Sequence, residues 1–187
     1  MTLDEKLGCL SGEDNFYIRA IPRLKLPRLR FADGPFGVRA YGPSTVVPAG
    51  INLAATWDPE LGRRLGVELG RDARARGVHW LLGPGVNIYR APMNGRNFEY
   101  LGEDPYLAGR MAVGYIDGVQ SQGVSATLKH FLGNNSEFDR HNTNSIIDER
   151  AIREVYLPAF EAAVKQGHVA SVMTCYNLVN GIHTSQY

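Results

Sequence analysis

Residues 124–140, VSATLKHFLGNNSEFDR, begin as an apolar run and end as a polar loop that closes on Arg140. Val124 to Leu128 reads as a buried strand, set off upstream by Gly123. Just past it crowd Lys129, His130, the amides Asn134 and Asn135, and the carboxylates Glu137 and Asp139. A packed core does not concentrate so many hydrogen-bonding groups unless they satisfy one another or something polar among them. In folds that alternate strand and helix, sites are built at such strand ends. The plain alternative is a solvated loop with an internal salt bridge.

The flanking sequence repeats one unit. Asp58-Pro59 opens a helix with Asp as N-cap and Pro at the first helical position. Leu61, Leu65, Leu69 and Ala73 share a face, Gly77 supplies a C-terminal stop, and the apolar run 78–82 follows. Asp104-Pro105 opens a second helix with Leu107, Met111, Tyr115 and Val119 on one face, and Gly123 stops it. A third begins near Asp148 and stops at Gly167, with Pro158 expected to kink or split it. It feeds a last apolar run near 169–174. With an earlier strand near 29–32, the order is β-α-β-α-β-α-β, which calls for a parallel sheet with covering helices.

An open nucleotide-binding sheet and a piece of a (β/α)8 barrel both fit that order. The loops separate them. Each strand leaves on a polar, Gly-rich segment (DGPFGVR, GPGVNIYRAPMNGRNFEYLGED, KHFLGNNSEFDR, CYNLVNG), whereas the helix-to-strand returns are a glycine or two. A dinucleotide fold carries G-x-G-x-x-G straight into a helix. Gly83-Pro84-Gly85 offers only the first two glycines, and a long loop intervenes before Asp104. The expectation is therefore an α/β chain forming part of a TIM-type barrel, with its strand-to-helix loops around one pocket.

Composition narrows the function classes. The chain has 187 residues and a net charge of +1, and its cations are dispersed, so neither nucleic acid nor a membrane is indicated as partner. No stretch has the length of an apolar transmembrane helix. The N-terminus shows no signal-peptide pattern, which reads as cytoplasmic if Met1 is the true start and as secreted or periplasmic otherwise. Cys9 and Cys175 are lone thiols, and the histidines have no ligand spacing, so neither a metal nor another cofactor is expected. Asn134-Asn135-Ser136 matches a glycosylation sequon and is read as chance.

The candidate site residues are Asp33, Arg96, Lys129, His130, Arg140 and Tyr176, each at or past a strand end. Asp33 has a turn-capping alternative, Arg96 a surface pairing with Glu99 or Glu103, and Tyr176 simple packing. Together they suit a neutral polyhydroxylated ligand, because carboxylates accept from hydroxyls while guanidinium and ammonium groups donate to them. A phosphate site would instead use backbone amides at a helix start.

The motifs DGPFGVR, AATWD, LGPGVNIYR, GRNFEYLGEDP, KHFLGNN with Arg140, DERAIREVYLPAFE and SVMTCYNLVNG, in that order, resemble the N-terminal part of glycoside hydrolase family 3 β-glucosidases. The resemblance covers nearly the whole chain. It implies a (β/α)8 barrel, followed in the family by an α/β sandwich, and hydrolysis of terminal β-D-glucosyl residues with retention. It also implies that Asp33, Arg96, Lys129, His130 and Arg140 hold sugar hydroxyls, and that Met173 and Tyr176 line the same subsite. The family's nucleophile is an aspartate in a downstream Ser-Asp-Trp segment, and its acid/base usually comes from the sandwich domain. Residues 1–187 contain no Ser-Asp-Trp, so the expectation is a portion of the barrel without either catalytic carboxylate, inactive alone. Asp33 and Glu137 match non-catalytic positions. Two alternatives are a non-catalytic sugar-binding module and a β-xylosidase of the same family. The β-N-acetylhexosaminidase branch fits less well, since KHFLGNN lacks the KHFPGHG form.

Overall fold

The computed structural model describes residues 1–39 and 42–186. Helix α1 (Leu3–Leu10) begins in a capping box, Thr2 and Glu5 each closing the other's backbone N–H, and leads to a short strand β1 (Tyr17–Ile18). Strand β2 (Leu29–Asp33), the short helix α2 (Gly50–Ala54), helix α3 (Pro59–Ala75) and strand β3 (Trp80–Leu82) follow. Helix α4 (Pro105–Ser121) and strand β4 (Ser125–Phe131) repeat the unit. After a short strand β5 (Asn144–Ser145) come α5 (Glu149–Ala151), a π turn (Ile152–Tyr156), α6 (Pro158–Lys165) and β6 (Ser171–Thr174). The chain then forms a hairpin of β7 (Leu178–Val179) and β8 (Ile182–His183).

The main sheet has the order β1-β2-β3-β4-β6. Strands β2, β3, β4 and β6 are all parallel, with Asp33 level with Leu82 and Phe131 level with Thr174. This is part of a (β/α)8 barrel, its strands wrapped by α3, α4 and α6. β1 runs antiparallel to β2 and closes one edge. At the other edge β6 pairs only with β4 among the described residues, leaving Val172 45% exposed. A second sheet, β5-β7-β8, sits beyond the ends of β4 and β6. Its member β5 lies in the loop that the sequence reading assigned no structure.

The local signals act as expected at two helices. The carboxylates of Asp58 and Asp104 accept from Glu60 N at 3.0 Å and Leu107 N at 2.8 Å, and Pro59 and Pro105 occupy the first helical turn. Gly77 and Gly123 take left-handed φ values of 68° and 73°, which let the chain reverse into the next strand. The third helix departs from the pattern. Pro158, lacking an N–H, starts α6, and the preceding turn widens to a π turn. Helix α6 ends at Lys165, and the left-handed residue is His168 (φ 46°) rather than Gly167.

Packing between α3 and α4 uses a stripe that apolar periodicity does not show. Gly62, Gly66 and Gly70 on α3 face Gly114 and Gly118 on α4, so the two backbones touch. A methyl group at Gly66 would collide with the Tyr115 carbonyl oxygen, and one at Gly118 with that of Arg63. Leu69 and Ala73 are buried beside this stripe, while Leu61 and Leu65 pack at its margin. Met111, Tyr115, Ile116 and Val119 carry α4 onto Leu81, Ala126 and Leu128 of the sheet. This core fixes the strand ends, and with them the loops.

Candidate functional site

A cleft of about 940 Å³ opens at the C-terminal ends of β2, β3, β4 and β6. Asp33, Arg96, Lys129, His130, Arg140, Met173 and Tyr176 all line it. Asp33 is the last residue of β2, and its carbonyl accepts from Arg39 N at 2.8 Å, closing the turn that Gly34 and Gly37 permit. Arg96 caps a single 3-10 turn, Asn97–Glu99, in the loop after β3. Lys129 and His130 lie within β4, two residues and one residue before its observed end at Phe131. Met173 is in β6, and Tyr176 follows that strand.

Glu99 is the hub of the charged groups. It is buried at 3% exposure; Oε2 lies 3.0 Å from Lys129 Nζ, and Oε1 accepts from Arg96 Nε. Lys129, itself 2% exposed, also lies 3.8 Å from the Asp33 carboxylate, whose side chain is 36% exposed and forms the open end of the group. An ammonium has three N–H donors. One goes to Glu99, and 3.8 Å is too long for a direct bond to Asp33, so donors remain for a hydroxyl placed between them.

A second group closes the other side. Arg140 Nη1 lies 3.0 Å from Glu137 Oε2, and its guanidinium covers the Tyr176 ring at 4.8 Å. His141 packs on the same ring at 4.6 Å. Among the described lining residues, Arg39, Arg96, Lys129 and Arg140 stand against Asp33, Glu99 and Glu137, with His130 neutral. That near balance suits an uncharged ligand with many hydroxyls better than a phosphate ester.

His130 is held from all sides. Its amide donates to Asn87 Oδ1 at 2.8 Å, and its carbonyl accepts from Asn87 Nδ2 at 2.9 Å. Nδ1 lies 3.1 Å from the Tyr100 hydroxyl. Burial first, and then the charges of Arg96, Lys129 and Arg140, push the imidazole down to about 2. An unfolded imidazole titrates near 6.5. The unfolded chain thus takes up a proton that the fold refuses, so this contribution is whole above roughly pH 6.5 and is lost on acidification, at about 1.4 kcal/mol per pH unit. Urea denaturation between about pH 6 and 4 is expected to show a steeper fall in stability for the wild type than for His130→Gln. Parallel slopes would show that the imidazole is not buried neutral.

Sequence reasoning named seven residues that line the cleft but treated Glu99 only as a surface partner of Arg96. The pair does form, yet it is inside the cleft and shared with Lys129. Tyr100 and Arg39 were missed. Tyr100 lay in the long loop read for Arg96, and Arg39 lay in a turn motif read for its aspartate. Among the described residues no group of three His, Cys, Asp or Glu side chains could hold a metal, and no helix is long and apolar enough to cross a membrane. Both cysteines are free thiols.

Comparison with known proteins gives the lineage. The family model described as "Glycosyl hydrolase family 3 N terminal domain" matches residues 17–186. A beta-glucosidase of Rhizobium radiobacter is 50% identical over 192 residues, spanning 100% of this chain and 24% of that protein. An exo-alpha-(1->6)-L-arabinopyranosidase of Bifidobacterium longum is 41% identical over 199 residues, covering 100% of the chain and 26% of its own length. The structure of beta-glucosidase 3B from Thermotoga neapolitana in complex with alpha-D-glucose superposes with a TM-score of 0.94 at 40% identity, over 100% of this chain and 29% of that one. The chain thus spans about a quarter of the length of these relatives. With the parallel strands, the loop cleft and a family match over residues 17–186, the chain belongs to glycosyl hydrolase family 3.

Proposed function

We propose that residues 1–187 are the N-terminal portion of a family 3 barrel and supply the glycone-binding side of a β-glucosidase. The activity is hydrolysis of terminal non-reducing β-D-glucosyl residues with retention, performed by a larger protein that adds the nucleophile and the acid/base. Asp33, Arg96, Lys129, His130 and Arg140 bind the sugar's hydroxyls, while Met173 and Tyr176 form the wall. The observation that carries this reading is the placement of Lys129 beside Glu99 and Asp33 at one strand-end cleft. A sugar hydroxyl accepting from Lys129 can donate its own proton to Asp33, so one group satisfies both charges.

The test is a titration of the 187-residue chain with D-glucose, followed by amide shifts in NMR. Hydrogen bonds to charged groups contribute about 1.5–3 kcal/mol, so Asp33→Asn and Lys129→Met are each expected to weaken binding roughly 10- to 150-fold. Shifts confined to residues outside the cleft, or variants that bind as the wild type does, would reject the site. A second reading, a pentoside glycone such as a xyloside or an arabinopyranoside, is favoured by the relative named for arabinopyranosidase activity. Titration with D-xylose and L-arabinose beside glucose ranks the readings, because only glucose carries the C6 hydroxymethyl.

A further inference from the structure

The polarity of the hydrogen bonds behind His130 decides what that residue can offer a ligand. Asn134 Nδ2 donates to the Tyr100 hydroxyl at 3.0 Å. That hydroxyl lies 3.1 Å from His130 Nδ1. Tyr100, His130 and Asn134 are 0%, 3% and 3% exposed, so water does not complete their hydrogen bonding. A phenol has one proton to give. Burial raises the Tyr100 hydroxyl well above its ordinary range, so that proton is present. The oxygen already accepts from Asn134, which leaves its proton for Nδ1. Nδ1 must then carry a lone pair, and a neutral imidazole with a lone pair on Nδ1 carries its hydrogen on Nε2. Among the described residues Nε2 has no hydrogen-bond partner, and the ring lines the cleft.

We propose that Tyr100 and Asn134 are positioning residues that lock His130 as the Nε2–H tautomer, so that the imidazole gives the cleft a hydrogen-bond donor and no acceptor. The proposal deepens the sugar-binding reading and rests on it for the identity of the ligand, but not for the tautomer. It assigns directions to the hydroxyl contacts. The ligand oxygen at His130 must accept, as it must at Lys129, and its own proton must go to an acceptor other than His130. An amine protonated at that position has no lone pair to accept with, and would be rejected. His130 can neither take a proton from the ligand nor deliver one, so it binds without sharing in proton transfer.

The experiment is long-range 1H–15N NMR of the 187-residue chain labelled with 15N-histidine, without ligand. His130 is assigned by the signal lost in His130→Gln. The wild type is expected to show an unprotonated Nδ1 and a protonated Nε2. In Asn134→Asp the carboxylate accepts from the Tyr100 hydroxyl, whose oxygen must then accept from Nδ1–H. That variant is expected to reverse the tautomer, read near pH 9 so that no imidazolium forms. Protonated Nδ1 in the wild type would overturn the proposal, and so would an Asn134→Asp protein that keeps Nε2–H. Should Asn134→Asp not fold, the wild-type spectrum still decides, through the protonation of Nδ1 and a hydrogen-bond coupling from the Tyr100 hydroxyl proton to it. Tyr100→Phe is expected to weaken D-glucose binding about 2- to 10-fold, the range of one ordinary hydrogen bond. The expected tautomer in a protein that does not bind glucose would sink the sugar-binding reading while leaving this one standing.

Discussion

Replacing Glu99 with alanine is expected to destabilise the fold by about 3–5 kcal/mol, the range measured when one member of a buried ion pair is removed. The carboxylate holds two cations at once, Lys129 at 3.0 Å and Arg96 through Nε. Lys129 is 2% exposed. Without Glu99 its ammonium keeps only the Asp33 carboxylate at 3.8 Å, too far for a direct hydrogen bond. The loss falls on the desolvated charge left behind more than on the pair that was broken. Lys129→Met makes the opposite change. It removes the buried cation, leaves Glu99 with Arg96, and fills the space with an unbranched side chain of similar length. Glu99 keeps Arg96, so no buried charge is left without a partner, and this variant is expected to lose less stability than Glu99→Ala while its sugar affinity weakens. Urea denaturation of both proteins makes the comparison. Equal destabilisation of the two, or a Glu99→Ala loss under about 1 kcal/mol, would show that Glu99 does not neutralise Lys129 in the folded chain.

That asymmetry also shows why the centre of the site was hard to read from the chain. Lys129 and Asp33 could be recognised because Asp33 ends one strand and Lys129 lies two residues inside the end of another, and the limits of both are marked by apolar runs, N-cap aspartates and glycine stops. Those signals are local, and they placed the four parallel strands within one or two residues. Glu99 belongs to a single 3-10 turn in a long loop, where an i,i+3 pair with Arg96 looks like a solvated surface pair. Only the return of the chain thirty residues later puts Lys129 on its other oxygen. Tyr100 and Asn134 are separated in the same way, and neither position announces that it meets His130. The glycine stripe between α3 and α4 was missed for another reason. Periodicity was sought in apolar side chains, whereas the closest contact is made by residues that have none. The small sheet escaped because its strands are two residues long and draw their partners from loops on either side of α6.

The 187-residue chain alone is expected to release no aglycone from a chromogenic β-glucoside, although it carries the groups proposed to hold the sugar. Retaining hydrolysis needs a carboxylate nucleophile and a protonated carboxyl about 5–5.5 Å apart. The carboxylates lining the described cleft are Asp33, Glu99 and Glu137. Glu99 is held by two cations, Glu137 by Arg140, and Asp33 stands beside Lys129. Glu99 and Glu137 are thus committed to cations inside the cleft, and Asp33 alone of the three has an open face toward a ligand. Loss of general acid/base help alone is a factor of roughly 10²–10⁴. If no carboxylate of the chain acts as nucleophile, the covalent route is closed as well. The measurement compares purified wild type with Asp33→Ala over long incubation at high protein concentration. Release above the buffer rate that disappears in Asp33→Ala would assign chemistry to Asp33 and overturn its role as a binding group. Glucose binding without turnover would place recognition in this quarter of the relatives' length and bond cleavage in the remainder. The rigid strand ends would then orient the sugar, and carboxylates brought by other segments would act on it.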